Sequence, residues 1–160
     1  MKKLLKTGLI AAIGATCFIT TNVVAREAAM NEKHAAAATE YRKALFQLVR
    51  SNMAPLGGMA KGAISFDQDV IATNALRLEQ LADMMSDYLM VDTRKFDVDT
   101  GAKDDIWENW SDFEGKVANL KSAAENLSSV AAAGDESKYR AAIGQVGGAC
   151  KGCHDDYKAD

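Results

Sequence analysis

IWENWSDFEGKVANLKSAAENLSSVA, residues 106–131, decides the fold. Within it Ile106, Trp110, Phe113, Val117, Leu120, Ala124, Leu127 and Ala131 recur at alternating steps of four and three residues. Such spacing lines one side of an α-helix with apolar side chains. Sustained without a break, it is the seam of left-handed bundle packing. Asp104 or Asp105 can cap the start, and Gly134 follows the end. The stretch therefore predicts one continuous helix that needs partners of the same kind.

Three further segments supply them. Residues 28–62 carry a stripe of Tyr41, Leu45, Leu48, Val49, Met53, Leu56 and Met59. Pro55 and the Gly57-Gly58 pair either end this helix near Asn52 or kink it. Residues 67–90 carry Ile71, Leu78, Leu81, Met85 and Leu89, and Ser65-Phe66-Asp67-Gln68 fits a capping box with Ser65 as N-cap. A last helix begins at Asp135 with Tyr139, Ile143, Val146, Cys150, Cys153 and Tyr157 on its apolar side. The chain has one proline and no long β-branched runs, which suits helices. Short connections predict an all-α, antiparallel up-down-up-down four-helix bundle. The one long connection, residues 91–103, is polar and is expected on the surface beside whatever the bundle holds.

That last stripe contains Cys150-Lys151-Gly152-Cys153-His154, a C-x-x-C-H run. This is the attachment signature of c-type haem. Two thiols three positions apart share a helical face and can form thioethers with the vinyl groups on one porphyrin edge. The histidine that follows can ligate the iron. A structural zinc site would need two more Cys or His ligands, and the other histidine, His34, is far upstream. A redox dithiol would sit in a βαβ context, and no strand pattern surrounds this one. Gly144, Gly147, Gly148 and Gly152 weaken the helix by roughly 1 kcal/mol each relative to alanine, which predicts close approach of something bulky or, as the alternative, fraying of the helix near the C-terminus.

The N-terminus reads as a signal peptide, residues 1–25: Met1-Lys2-Lys3 opens a basic region, an apolar run follows, and Val23-Val24-Ala25 is a small-residue cleavage site. Thr16 before Cys17 disfavours lipidation. The mature domain is then residues 26–160, in the periplasm, where haem attachment occurs. Cleavage removes Lys2, Lys3 and Lys6, so 19 basic and 22 acidic residues become 16 and 22, a net charge of −6. No basic patch marks a nucleic-acid binder, and no membrane association is expected once the signal is gone. Paired catalytic carboxylates, a nucleophile elbow and a phosphate loop are all missing from the sequence, so an enzyme is not expected.

An exported four-helix bundle with C-x-x-C-H in its last helix resembles the class II cytochromes c, the cytochrome c′ family. Tyr41-Arg42, Met59-Ala60-Lys61-Gly62, Phe66-Asp67, Ile106-Trp107 and Gly144 through Lys158 add to the likeness. The resemblance implies one covalent haem c, held by Cys150 and Cys153, with His154 as axial ligand. The family position for the sixth ligand lies four residues after Arg42 and is Phe46, whose ring has no lone pair for iron. The resemblance thus implies a five-coordinate iron under an apolar distal pocket that admits NO or CO. It also implies that Arg42 meets a haem propionate, with bidentate geometry suited to a carboxylate. The alternative is a low-spin electron carrier, in which a methionine closes the sixth site. Met53 and Met59 lie about 10 and 20 Å beyond Phe46 along an ideal helix and read as core filler. Family members often have arginine where Lys158 stands, and lysine lacks the planar fork. Trp107 and Tyr157 are expected near the ring. The remaining expected partners are a redox protein and a second copy of the chain, in an antiparallel homodimer through the first two helices.

Overall fold

The computed structural model describes residues 27–159, so the expected signal peptide with Cys17 lies outside the described residues. Five helices follow: α1 (Glu32–Ala60), α2 (Gln68–Leu89), α3 (Asp105–Glu108), α4 (Trp110–Ala132) and α5 (Glu136–Tyr157). The four long ones form the expected four-helix bundle. α2 and α4 make the closest pair, and α1 and α5 the most open neighbouring pair.

Local chemistry sets the helix limits. Asn31 starts α1, its side-chain oxygen accepting from the His34 amide at 2.9 Å. His34 in turn accepts the Met30 amide on Nδ1 at 3.3 Å, so it belongs to the start of the helix. Pro55 does not end α1, which continues to Ala60. Beyond it, the Gly62 amide donates to Met59 and the Ala63 amide to Gly58. That pair of bonds is a Schellman motif, and Gly62 takes its left-handed position with φ +75°. Ser65 is not the cap of α2. Asp67 is, accepting from the Val70 amide at 3.0 Å, and its carboxylate also suits the positive end of a helix. This start frees Gln68 to donate 2.8 Å across the bundle to the Ala131 carbonyl at the end of α4.

The long seam is broken once. Asn109, at φ −118° and ψ 45°, separates α3 from α4, and neither Asp104 nor Asn109 caps through its side chain. The break turns both Ile106 and Trp107 inward, and the Trp107 indole donates to the Leu89 carbonyl at 2.8 Å. From Phe113 onward the seam runs as expected, with Phe113, Leu120, Ala124, Leu127 and Ala131 buried. Ala75 and Ala82 on α2 and Ala124 and Ala131 on α4 are fully buried, and these small side chains let the two backbones approach. On α1, Tyr41 and Leu48 fall outside the core and are exposed. The stripe predicted there was too wide.

Residues 91–103 are more than a surface loop. Thr93 is buried, Asp92 exchanges backbone hydrogen bonds with Glu27 and Ala29, and Arg94 bridges Asp92 and Glu108. At its far end the loop runs beside the C-terminus, with the Lys103 amide on the Tyr157 carbonyl and the Ala159 amide on the Gly101 carbonyl. No helix among the described residues is long and apolar enough to cross a membrane.

Candidate functional site

Where α1 and α5 diverge, they enclose a cavity of about 550 Å³. That falls within the usual range for small-molecule and cofactor sites. Cys150, Cys153 and His154 line it from α5, and Arg42 and Phe46 from α1. The structure thus brings together all five residues singled out from sequence, although they come from opposite ends of the chain. Leu89, Ile106, Phe113, Val117 and Leu120 supply apolar wall from the other helices, and Thr100 to Ala102 close one side from the loop.

The cysteines are free and half-buried, one turn apart on α5. Burial raises the Cys150 thiol, and burial with the neighbouring Cys150 pushes Cys153 up to about 11. Both stay protonated at neutral pH. Reactive dithiols need the opposite shift, and no metal-binding cluster of three or more His, Cys, Asp or Glu exists among the described residues. The redox-dithiol and zinc readings therefore lose ground. A flat apolar group bonded at this edge fits the donor set, since both sulfurs face an apolar hollow.

Arg42 is no surface charge. It is 3% exposed, and its guanidinium donates to the Tyr88 carbonyl (3.2 Å), the Val91 carbonyl (2.6 Å) and the Thr93 hydroxyl (3.3 Å). It also lies over the Trp107 ring, 5.1 Å from its centre. Burial lowers its pKa to about 10, against a raising effect of Asp92, so it remains a cation. Lys43, Arg50, Lys116 and Lys158 line the same cavity, and no carboxylate does. The lining charge suits the anionic edge of a haem. Lys43 pairs with Asp99 at 2.6 Å and Lys116 with Asp156 at 2.7 Å.

Three sequence expectations change here. Met53, read as core filler, lines the cavity with Met85, whereas Met59 is core. The four glycines of α5 do not line it. A Cβ on any of them meets no protein atom within 4 Å, and Gly144 and Gly148 face solvent. Tyr157 is at the cavity as expected. Trp107 sits behind Arg42 instead of lining the wall. Lys43, Arg50 and Lys116 were missed, although Arg42, Phe46 and Arg50 recur every four residues and so share one face of α1.

Comparison with known proteins agrees with this geometry. Residues 37–158 match the family model described as Cytochrome C'. The cytochrome c' of Halomonas halodenitrificans is 35% identical over 127 residues, covering 77% of this chain and 96% of that protein. The solved cytochrome c prime of Shewanella frigidimarina has a TM-score of 0.73 at 33% identity, covering 81% of this chain and 100% of its own. A nitric oxide complex of a point mutant of cytochrome c prime from Alcaligenes xylosoxidans has a TM-score of 0.70 at 29% identity, covering 79% of this chain and 96% of its own. The chain belongs to the cytochrome c′ family, which binds a single covalently attached haem c.

Proposed function

We propose that Cys150 and Cys153 hold the haem through thioethers, that His154 is the axial iron ligand, and that the protein binds NO or CO on the opposite side. The observation that carries this reading is the position of Phe46, across the cavity from the Cys-Cys-His edge. When bound, haem supplies an iron with an open coordination position for a diatomic gas. The chain's residues then decide what reaches it. Phe46 offers no hydrogen bond, so water and anions gain nothing from that side chain to offset their desolvation. A small neutral molecule loses little by entering. Arg42, already held by three protein acceptors, is oriented to give its remaining N–H groups to a propionate. The nitric oxide complex of the Alcaligenes xylosoxidans relative supports the choice of gas.

Residues 1–25 direct export in this reading, and the mature domain, residues 26–160, works in the periplasm. A second copy packs against α1 and α2, where Tyr41, Leu48, Leu76 and Met84 leave apolar surface exposed. A redox protein is the partner if the haem also passes electrons.

One observation favours a second reading. The Met53 and Met85 side chains line the cavity, and a thioether sulfur can ligate iron. The visible spectrum of the ferrous protein at neutral pH separates the two. The open site gives a broad high-spin band that shifts when CO is added. Sharp, split bands indifferent to CO mean that an internal ligand closes the site, and the protein is then a low-spin electron carrier.

A further inference from the structure

One cluster at the cavity plays no part in gas binding. Tyr157 lines the wall and is 5% exposed, and its hydroxyl donates to the Asp112 carboxylate at 2.6 Å. Its ring meets Phe113 edge-on, with centres 5.6 Å apart. Phe113 in turn meets Trp110, at 5.2 Å and a 35° tilt. Trp110 is half-buried, so this run of rings begins at the cavity and ends at the protein surface. Core packing accounts for the rings. It does not require a buried phenol to hold a carboxylate, or the ring series to reach the surface.

We infer that Tyr157, Asp112 and Trp110 form an oxidation relay that supplies electrons to the haem when a peroxide reacts there. The inference rests on the haem reading above. A phenol gives up an electron readily only if its proton leaves with it. Asp112 is already hydrogen-bonded to receive that proton. Reducing one hydrogen peroxide to two waters takes two electrons and two protons. Tyr157 supplies the first electron, its O–H proton passing to Asp112, and becomes a neutral phenoxyl. Trp110 supplies the second through the Phe113 contact, its indole proton passing to water. The indole proton released to water and one more from solvent balance those consumed, and Asp112 keeps the proton from the phenol. A small reductant at the surface then returns two electrons by way of Trp110: one stays there, with a proton taken from water, and one passes to Tyr157, which recovers its proton from Asp112. The relay draws the oxidising equivalents away from the haem and the thioethers.

The experiment adds hydrogen peroxide to the ferric holoprotein, freezes it within seconds, and records the electron paramagnetic resonance spectrum. Protein grown on ring-deuterated tyrosine identifies the radical. The expected result is an organic radical that narrows on deuteration and is lost in Tyr157→Phe. Asp112→Asn should slow its appearance by about a hundredfold, the low end of what a positioned proton acceptor contributes. Phe113→Leu should keep the tyrosine radical while oxidised Trp110, read by peptide mass, falls sharply. Visible spectra before peroxide confirm that each variant holds haem and is folded. A haem-bearing wild type with no such radical overturns the relay alone. So does a signal of equal size in Tyr157→Phe. A colourless purified protein overturns the haem reading and the relay together.

Discussion

Two pairs of neighbouring helices in this bundle have been put to opposite uses. α2 and α4 meet through buried alanines and fully buried leucines, Leu78 and Leu127, and leave no room between them. α1 and α5 stand apart around a hollow of about 550 Å³ lined by both cysteines and Phe46. One pair makes the protein stable, and the other makes it useful. Side-chain truncation should therefore act in different currencies at the two places. Leu78→Ala or Leu127→Ala should cost about 3 kcal/mol of unfolding free energy, as for other closed cores, with little change in gas binding. Phe46 lines the hollow and belongs to neither core cluster, so Phe46→Ala should cost less than half as much while speeding CO binding to the ferrous protein. Denaturant titration and flash photolysis measure the two effects. An equal stability loss at Phe46 would erase the distinction between the pairs.

Arg42 lies at the junction of the two regions and tests where one ends. Its three hydrogen bonds tie α1 to the segment that leaves α2. Arg42→Met should cost about 2 kcal/mol, the scale for losing hydrogen bonds to a charged group. Arg42→Lys should recover only part of this, because a lysine cannot serve three acceptors and a ring face in one plane. Thermal unfolding of the holoprotein checks both. Full recovery by lysine would mean that charge alone matters at this position.

The cavity side also predicts a pH dependence that the closed side lacks. In the chain made without haem and kept reduced, Cys153 titrates near 11 when folded and near 9.0 when unfolded. Between those values the unfolded chain holds fewer protons than the folded one. Its stability should then fall as pH rises from about 9 to 11, and stay complete below 9. Cys153→Ala should lessen that decline, leaving the shares of Cys150 and Tyr157, whose pKa values burial also raises, and thioether formation in the holoprotein should remove both cysteine shares. Denaturation midpoints across this range decide the matter. An unchanged slope in Cys153→Ala would place the titrating group elsewhere.

The closed pair was more legible in the sequence than the open one. Helix–helix contact repeats with the helix, so the spacing from Phe113 to Ala131 and from Ile71 to Leu89 told which faces were buried. The Cys150–His154 motif was equally plain, since its spacing is set by a porphyrin edge. The wall opposite was harder to read. A cavity relaxes the demand for apolar residues, and Arg50, Gln47 and Met53 face it without disturbing any pattern. Trp107 was expected near the ring from the family resemblance, and the break at Asn109 that turns it inward behind Arg42 leaves no mark in the seam. Helix starts depend on which of several polar side chains wins. Ser65 and Asp67 both suited the part, and only tertiary contact chose between them.

That choice gives the smallest test, at the closed end of the bundle. Asp67 caps α2 while Gln68 reaches the last turn of α4, so one dipeptide satisfies an amide on one helix and a carbonyl on the other. Asp67→Ala should cost about 1 kcal/mol, the usual value of an N-cap. Gln68→Ala should cost a similar amount or slightly less, through the unpaired Ala131 carbonyl. Ser65→Ala should change stability by less than about 0.5 kcal/mol, as for a surface site without a partner. Chemical denaturation of the three variants ranks them. A loss at Ser65 equal to that at Asp67 would restore the capping box and release Gln68 from α4. The contact between α2 and α4 would then rest on apolar packing and the Lys121–Asp83 ion pair, 2.7 Å long.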